Sequence, residues 1–234
     1  MHRRGSAGGR HREVTSREFR ERLGRRAKRA GVAVPAPLWE ALEAYYRLLA
    51  LWNTRINLTA LNLDSADDAI DRLLIEPLAA ARRLPPPPCA LMDIGSGGGS
   101  PAIPLKLAVP GARLIMVEAK TRKSAFLREA IRQLQLADTA VETARFEELL
   151  TRPDLHEAVD VVTVRAVRIE LRVLMGLQAF LRPDGYLFLF RGPSGHDLPK
   201  MLTPPLVWQS THPLVDAAGS RLVIVRKVAV GQAR

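Results

Sequence analysis

Residues 91–105 read LMDIGSGGGSPAIPL, an apolar run and an acid followed by four glycines within five positions. Glycine loses more backbone freedom on folding than any other residue, so such a cluster marks a sharp turn or a close approach to bare main chain. After the first strand of an open α/β sheet, a loop of this kind lets a nucleotide-like ligand lie against the backbone. Two versions of it do not fit. A phosphate-cradling P-loop needs a Gly-Lys-Ser/Thr sequence, and none follows these glycines. The dinucleotide fingerprint G-x-G-x-x-G would place glycine at position 100, where Ser100 stands. What the chain offers is D-x-G-x-G-x-G, with Asp93 leading Gly95, Gly97 and Gly99.

The flanking sequence supplies the sheet that the loop requires. Short apolar or β-branched runs at 90–95, 113–119, 140–144, 159–166 and 185–192 alternate with helical stretches, notably TRKSAFLREAIRQLQL and VRIELRVLMGLQAFLR. That alternation implies a mostly parallel sheet covered on both faces. PLVWQSTHPL and SRLVIVRKVAV, joined by VDAAGS, predict a closing antiparallel hairpin and bring the sheet to seven strands.

Upstream lie three amphipathic segments. Ser16 is expected to cap the first, where Phe19, Leu23 and Ala27 recur every four residues and Gly31 ends the pattern. Leu38, Leu42, Tyr45, Leu48, Leu49 and Trp52 stripe the second. Asp64 or Ser65 is expected to cap the third, DSADDAIDRLLIEPLAAARRL. Four prolines at 85–88 cannot continue a helix. The expected organisation is a basic, disordered tail (1–15), a small helical extension (16–84) and a main domain (85–234).

Charge is concentrated at one end. The net charge is +11, and residues 1–30 carry 11 Lys/Arg against 3 Asp/Glu, leaving about +3 for the other 204 residues. A basic stretch of this kind attracts a polyanion, with nucleic acid the leading candidate. The single cysteine, Cys89, excludes an internal disulfide framework. No apolar run approaches a membrane span, and the N-terminus lacks an apolar signal core, so a cytoplasmic protein is expected. Scattered histidines at 156, 196 and 212 have no ligand spacing, so no metal is expected.

The acid-led loop resembles the first motif of class I methyltransferases, Rossmann-like enzymes that use S-adenosylmethionine. That donor has no pyrophosphate, and its ammonium suits an acid such as Asp93 near the strand tip. Glu118, 23 residues after Gly95 at the end of the second strand, is placed to accept both ribose hydroxyls. The acceptor is narrowed by elimination. No Asn/Asp-Pro-Pro-Tyr/Phe motif follows the fourth strand, which weakens exocyclic amine methylation. Carbon-5 methylation needs a cysteine nucleophile, and Cys89 precedes the first strand, at the wrong end of the sheet. A ring nitrogen such as guanine N7 has its lone pair ready, so no general base is expected, only alignment and exclusion of water. Arg165, ending the fourth strand, is a candidate positioning residue for the donor, a phosphate or guanine O6.

At this point the family becomes recognisable. LWNTRINLTAL (51–61), DIGSGGGSPAIPLKLAVPGARL (93–114), VEAKTRKSAFLREAIRQLQL (117–136), ARFEEL (144–149) and VRAV (164–167) resemble the ribosomal RNA small-subunit methyltransferase G, or glucose-inhibited division protein B, family. The likeness runs from about residue 16 to 228. It implies methyl transfer from S-adenosylmethionine to guanine N7 in the 530 loop of 16S rRNA. By position it implies donor contacts at Gly95, Ser100, Phe146, Glu147 and Arg165. The partner would be 16S rRNA or the 30S subunit, met by a monomer. Arg55, Arg122, Lys123, Arg128 and Arg191 are the expected RNA contacts. The alternatives are another RNA or small-molecule target, or a non-catalytic rRNA-binding assembly factor. RLLIEPL (72–78) departs from the family's His-x-x-Asp-Ser-Leu, with Glu76 and Pro77 in place of Asp and Ser. Ser100 stands where leucine is usual.

Overall fold

The protein was analysed as a computed structural model, which describes residues 15–63, 67–165, 170–193, 202–215 and 218–229. The tail up to residue 14 and the Asp64 or Ser65 cap lie outside the described residues. Helix α1 (Ser16–Arg29) is capped by Thr15 rather than Ser16. The Thr15 hydroxyl accepts from the Glu18 N–H, and the Glu18 carboxylate accepts from the Thr15 N–H at 3.1 Å. Such a reciprocal box needs an acid three residues on; Ser16 has Phe19 there. Phe19, Leu23 and Ala27 bury one face of α1 on the same core as Leu42, Tyr45 and Leu49 of α2 (Ala36–Asn53). Each buried leucine and Phe19 contributes about 1.5–3 kcal/mol of burial.

The third segment is not one uniform helix. α3 (Asp67–Ile70) passes into a π-helical turn (Asp71–Ile75) and then α4 (Glu76–Ala81). The cause is legible in Pro77, which has no N–H for the Leu73 carbonyl four residues back. The ladder widens just before it, and the Glu76 N–H reaches the Asp71 carbonyl.

The seven strands are β1 (Ala90–Ile94), β2 (Arg113–Val117), β3 (Thr139–Glu142), β4 (Val159–Arg165), β5 (Leu181–Arg191), β6 (Leu206–Val215) and β7 (Ser220–Lys227). Their spatial order is β3-β2-β1-β4-β5-β7-β6, parallel from β3 to β5 and antiparallel thereafter. β7 enters between β5 and β6, so the expected hairpin closes the sheet from inside. Between strands lie α5 (Ala102–Ala108), α6 (Thr121–Gln133), α7 (Phe146–Leu149) and α8 (Leu171–Leu177). The helix expected over 167–182 is shorter because β5 begins at Leu181, pairing with Val159 through an irregular register.

Strand alternation divides the core in two. Leu91, Met116, Val161 and Phe188 pack with α1 to α4, whereas Met92, Ile115, Val162 and Leu189 pack with α7 and α8 on the other face. β1 has β2 on one side and β4 on the other. The connections leave it in opposite directions, and open α/β sheets bind ligands beyond the C-terminal ends of strands at such a point.

Candidate functional site

The loop leaving β1 is fastened to the end of β2. The Gly95 and Ser96 N–H groups donate to the Val117 carbonyl at 2.9 and 3.0 Å. Glu118 is only 7% exposed, and its carboxylate accepts from the Gly97 N–H at 2.9 Å and the Lys120 N–H at 2.8 Å. The carboxylate expected at this place therefore also braces the glycine loop.

The four glycines divide into two pairs. Gly95 and Gly97 have φ of +72° and +52°, left-handed values that side chains disfavour. A Cβ on Gly97 would meet only the Gly95 carbonyl, at 3.7 Å, so open space lies beside it. Gly98 and Gly99 are required by the protein's own packing, and Gly99 is left-handed as well, with φ of +85°. A Cβ would stand 3.0 Å from Leu49 Cδ1 at Gly98 and 2.5 Å from Ile103 Cδ1 at Gly99. What lies against half of this bare backbone is therefore the chain's own helical layer and α5.

That layer reaches the loop by several routes. Tyr45 is fully buried and its hydroxyl donates to the Gly98 carbonyl at 2.7 Å; burial pushes the phenol well above its usual range. Asn53 folds the segment after α2, its Oδ1 accepting from the Leu58 and Thr59 N–H groups at 2.8 and 3.0 Å. Leu58 then packs on Gly98, and Trp52 meets Phe126 edge-on at 5.8 Å. WNTRINLT and the glycine loop are thus two surfaces of one contact.

Three charged groups converge on this face of the sheet. Asp93 is 1% exposed; its Oδ1 accepts from the Thr163 hydroxyl, and Oδ2 is buried without a partner. Burial pushes the Asp93 carboxyl above the usual range, against the hydrogen bond from Thr163 and the charge of Arg165. Arg165 ends β4 with its guanidinium 4.6 Å from the Phe190 ring centroid. It donates through Nη1 to the Arg72 carbonyl, and Nη2 lies 2.9 Å from Glu76 Oε2. The second contact lacks hydrogen-bond geometry and is an ion pair in a largely dry setting. Burial lowers the pKa of Arg165, opposed by Glu76.

Asp93, Gly95, Gly97, Glu118 and Arg165 therefore meet around the end of β1. Ser100 is committed differently from expectation: its hydroxyl donates to the Leu73 carbonyl at 2.9 Å. Gly99, though in the motif, is buried under Ile103. Phe146 and Glu147 begin α7 beyond β3; Phe146 is half-buried against Gly176 of α8 and Glu147 is exposed. Arg55 and Arg122 are exposed, and Lys123 is half-buried in the first turn of α6. Arg128 ties α6 to the segment after β3, donating to the Thr143 hydroxyl at 2.7 Å. Arg191 is half-buried at the end of β5, where burial and Arg221 lower its pKa. Cys89 is buried just before β1, away from this crevice. Among the described residues, no group of three His, Cys, Asp or Glu side chains is placed to hold a metal.

Three participants escape a reading of the sequence. Tyr45 looks like one more member of an apolar stripe, and Glu76 like a mere departure from a motif. Thr163 did carry a signal: a lone hydroxyl in an apolar strand, two residues before Arg165.

Comparison with known proteins follows the same lines. The family described as rRNA small subunit methyltransferase G matches residues 38–203. A relative of that name from Roseiflexus sp. (strain RS-1) is 41% identical over 128 residues, 55% of this chain and 54% of the relative. One from Xylella fastidiosa (strain 9a5c) is 35% identical over 189 residues, covering 80% of this chain and 85% of the relative. In fold the protein is similar to a SAM dependent methyltransferase from Aquifex aeolicus, with a TM-score of 0.52 at 12% identity, over 70% of this chain and 94% of that one. A match across most of the chain, through the glycine loop and the strand ends that form the crevice, makes this protein a member of the rRNA small subunit methyltransferase G family.

Proposed function

We propose that this protein transfers a methyl group from S-adenosylmethionine to N7 of a guanine in the 530 loop of 16S rRNA, within the 30S subunit or its free RNA. One observation carries the reading. At the switch point of the sheet, left-handed backbone, exposed at Gly95 and with open space beside Gly97, stands between a buried carboxylate with an unpartnered oxygen, Asp93, and a second carboxylate ending the next strand, Glu118. That donor set fits a ligand with an ammonium and a ribose diol.

The donor brings an electrophilic methyl on a sulfonium, so the chain need only bind and align. Asp93 Oδ2 would take the ammonium, and Glu118 the ribose hydroxyls while keeping the Gly97 N–H. Phe146 and the Glu147 N–H would meet the adenine. Arg165 would orient the methionine end or the base. Guanine N7 needs no deprotonation before attack, so the helical layer contributes by excluding water and fixing the approach.

The RNA would be drawn to cations outside the crevice. Arg55 and Arg122 are exposed, as are Arg25, Lys28 and Arg29 of α1, and Lys123 adds a half-buried charge. The reading carries with it a cytoplasmic monomer acting without metal; among the described residues no helix is long and apolar enough to cross a membrane. The deciding experiment maps N7-methylguanine in small-subunit rRNA from cells with and without the gene, then restores it in vitro with purified protein and donor. Loss and restoration at one 530-loop guanine are expected. Methylation elsewhere would redirect the reading, and donor binding without transfer to RNA would overturn it.

A further inference from the structure

The departing segment Arg72–Pro77 forms a wall of the candidate donor site. In a regular α-helix the Arg72 carbonyl would receive the Glu76 N–H, and the Leu73 carbonyl that of residue 77. Here the Glu76 N–H crosses the π turn to Asp71, and Pro77 has none to give. The Arg72 and Leu73 carbonyls are therefore left open to donors from outside the helix. Arg165, ending β4, donates to the first, and the Ser100 hydroxyl, leaving the glycine loop, donates to the second at 2.9 Å. One helical turn thus grips both sides of the crevice mouth.

Glu76 completes the grip. It is 2% exposed, and Oε2 lies 2.9 Å from Arg165 Nη2. Its other oxygen and Arg165 Nε are both buried without partners. Buried polar atoms left unmatched mark a strain reservoir or a place where something else binds. We propose that Glu76 is a positioning residue for donor binding, holding the Arg165 guanidinium between Phe190 and the open Arg72 carbonyl, and that Pro77 and Ser100 form a compensating pair keeping this turn in register with the glycine loop. Residues 76, 77 and 100 then belong to one device. Changing one alone breaks it, and changing its counterpart with it restores it.

This inference rests on the donor reading above, and the test separates the two. S-Adenosylmethionine is titrated calorimetrically into the full chain, Glu76→Gln, Glu76→Asp, Pro77→Ser, Ser100→Leu and the Pro77→Ser/Ser100→Leu double variant, with thermal unfolding of each. Glu76→Gln is expected to weaken donor affinity about 10-fold and to raise the donor KM more than it lowers kcat, with Glu76→Asp recovering part of the loss. Each single change at 77 or 100 is expected to weaken binding about 3-fold or more, and the double variant to bind better than the weaker single one, a non-additivity proper to residues that share a partner, here the Leu73 carbonyl. Should Glu76→Gln fail to fold, Glu76→Asp and the 77/100 cycle carry the test. A folded Glu76→Gln that binds the donor like the wild type, or strictly additive changes at 77 and 100, would overturn the inference and leave the donor reading intact. A wild-type chain that binds no donor would overturn both.

Discussion

Lys106, Lys227 and Asp160 stand at the edge where the parallel strands begin; Asp93, Glu76 and Arg165 stand where they end. All six are buried or partly so, yet their polar atoms are treated differently. Lys106 Nζ donates to the Pro110 and Ala112 carbonyls, so its charge is matched by backbone although burial lowers its pKa. Lys227 Nζ has Glu157 at 2.9 Å and the Gln178 and Leu181 carbonyls at 3.1 and 2.8 Å. Asp160 accepts from the Ala90 N–H at 2.7 Å and from Arg182 at 3.0 Å. The same edge has one buried atom without a partner, Arg226 Nε, on a guanidinium that donates through Nη2 to Asp184 at 2.7 Å; at the other edge Asp93, Glu76 and Arg165 each keep at least one, and they adjoin one another. Native proteins satisfy nearly all such groups, so a cluster of exceptions marks a strain reservoir or, on the function proposed above, the place a ligand completes.

If that contrast is right, substitutions at the two edges separate binding from stability. On the proposed function, Glu118→Ala removes the carboxylate that would accept two ribose hydroxyls. Donor affinity, read by calorimetry, should fall about 100-fold, roughly 3 kcal/mol, with only about 1 kcal/mol lost from unfolding. Asp160→Ala should do the reverse. It orphans the Ala90 N–H at the start of β1, so chemical denaturation should show about 2 kcal/mol of lost stability, with donor affinity within about 2-fold. A large loss of affinity in Asp160→Ala would erase the contrast.

The next effect is smaller and depends on pH. Burial raises the Asp93 pKa, so the folded chain holds that proton more tightly than the unfolded one. Ionised Asp93 therefore costs stability above its folded pKa, and the cost vanishes below its unfolded one. On the proposed function the ionised form would hold the donor's ammonium, so affinity should decline as pH falls through the raised pKa. Asp93→Asn should weaken neutral-pH binding about 10-fold and flatten that acid limb, without loss of stability. A limb that persists in Asp93→Asn belongs to another group. Smallest of all, Arg122→Ala should weaken rRNA binding a few-fold and reduce the salt slope by about 1, leaving donor affinity unchanged. An unchanged slope would take Arg122 out of the RNA path.

The strand ends were readable because β1, β2 and β4 are largely apolar runs with a polar residue at or next to the C-terminal end, Asp93 one before the end of β1, Glu118 just after β2 and Arg165 last in β4. Asp93, Glu118 and Arg165 could be placed from that punctuation alone. Glycine identity was less informative than it looked. Gly98 and Gly99 answer to Leu49 and Ile103, which are distant in sequence or one helical turn onward, and no local pattern separates them from Gly95 and Gly97. The π turn was hidden for another reason. Pro77 sits where α4 opens and is compatible with a helix start, and only the carbonyls behind it reveal that the ladder has widened. Tyr45 was masked by periodicity, since a phenol on an apolar stripe looks like packing until its hydroxyl finds Gly98.

The clamp of Tyr45, Leu49 and Leu58 on the glycine loop also bears on how the chain matures during synthesis. The first three helical segments leave the ribosome with their apolar stripes exposed, and the strands that cover them follow; β4 lies about 110 residues after the middle of α2. The glycine loop and α5 give the emerging amino-terminal part its first surface to close upon, and Arg165 of β4 gives the last. Protease digestion of stalled nascent chains should show this region gaining resistance once α5 has emerged and again once β4 has, so that a finished crevice signals a finished sheet.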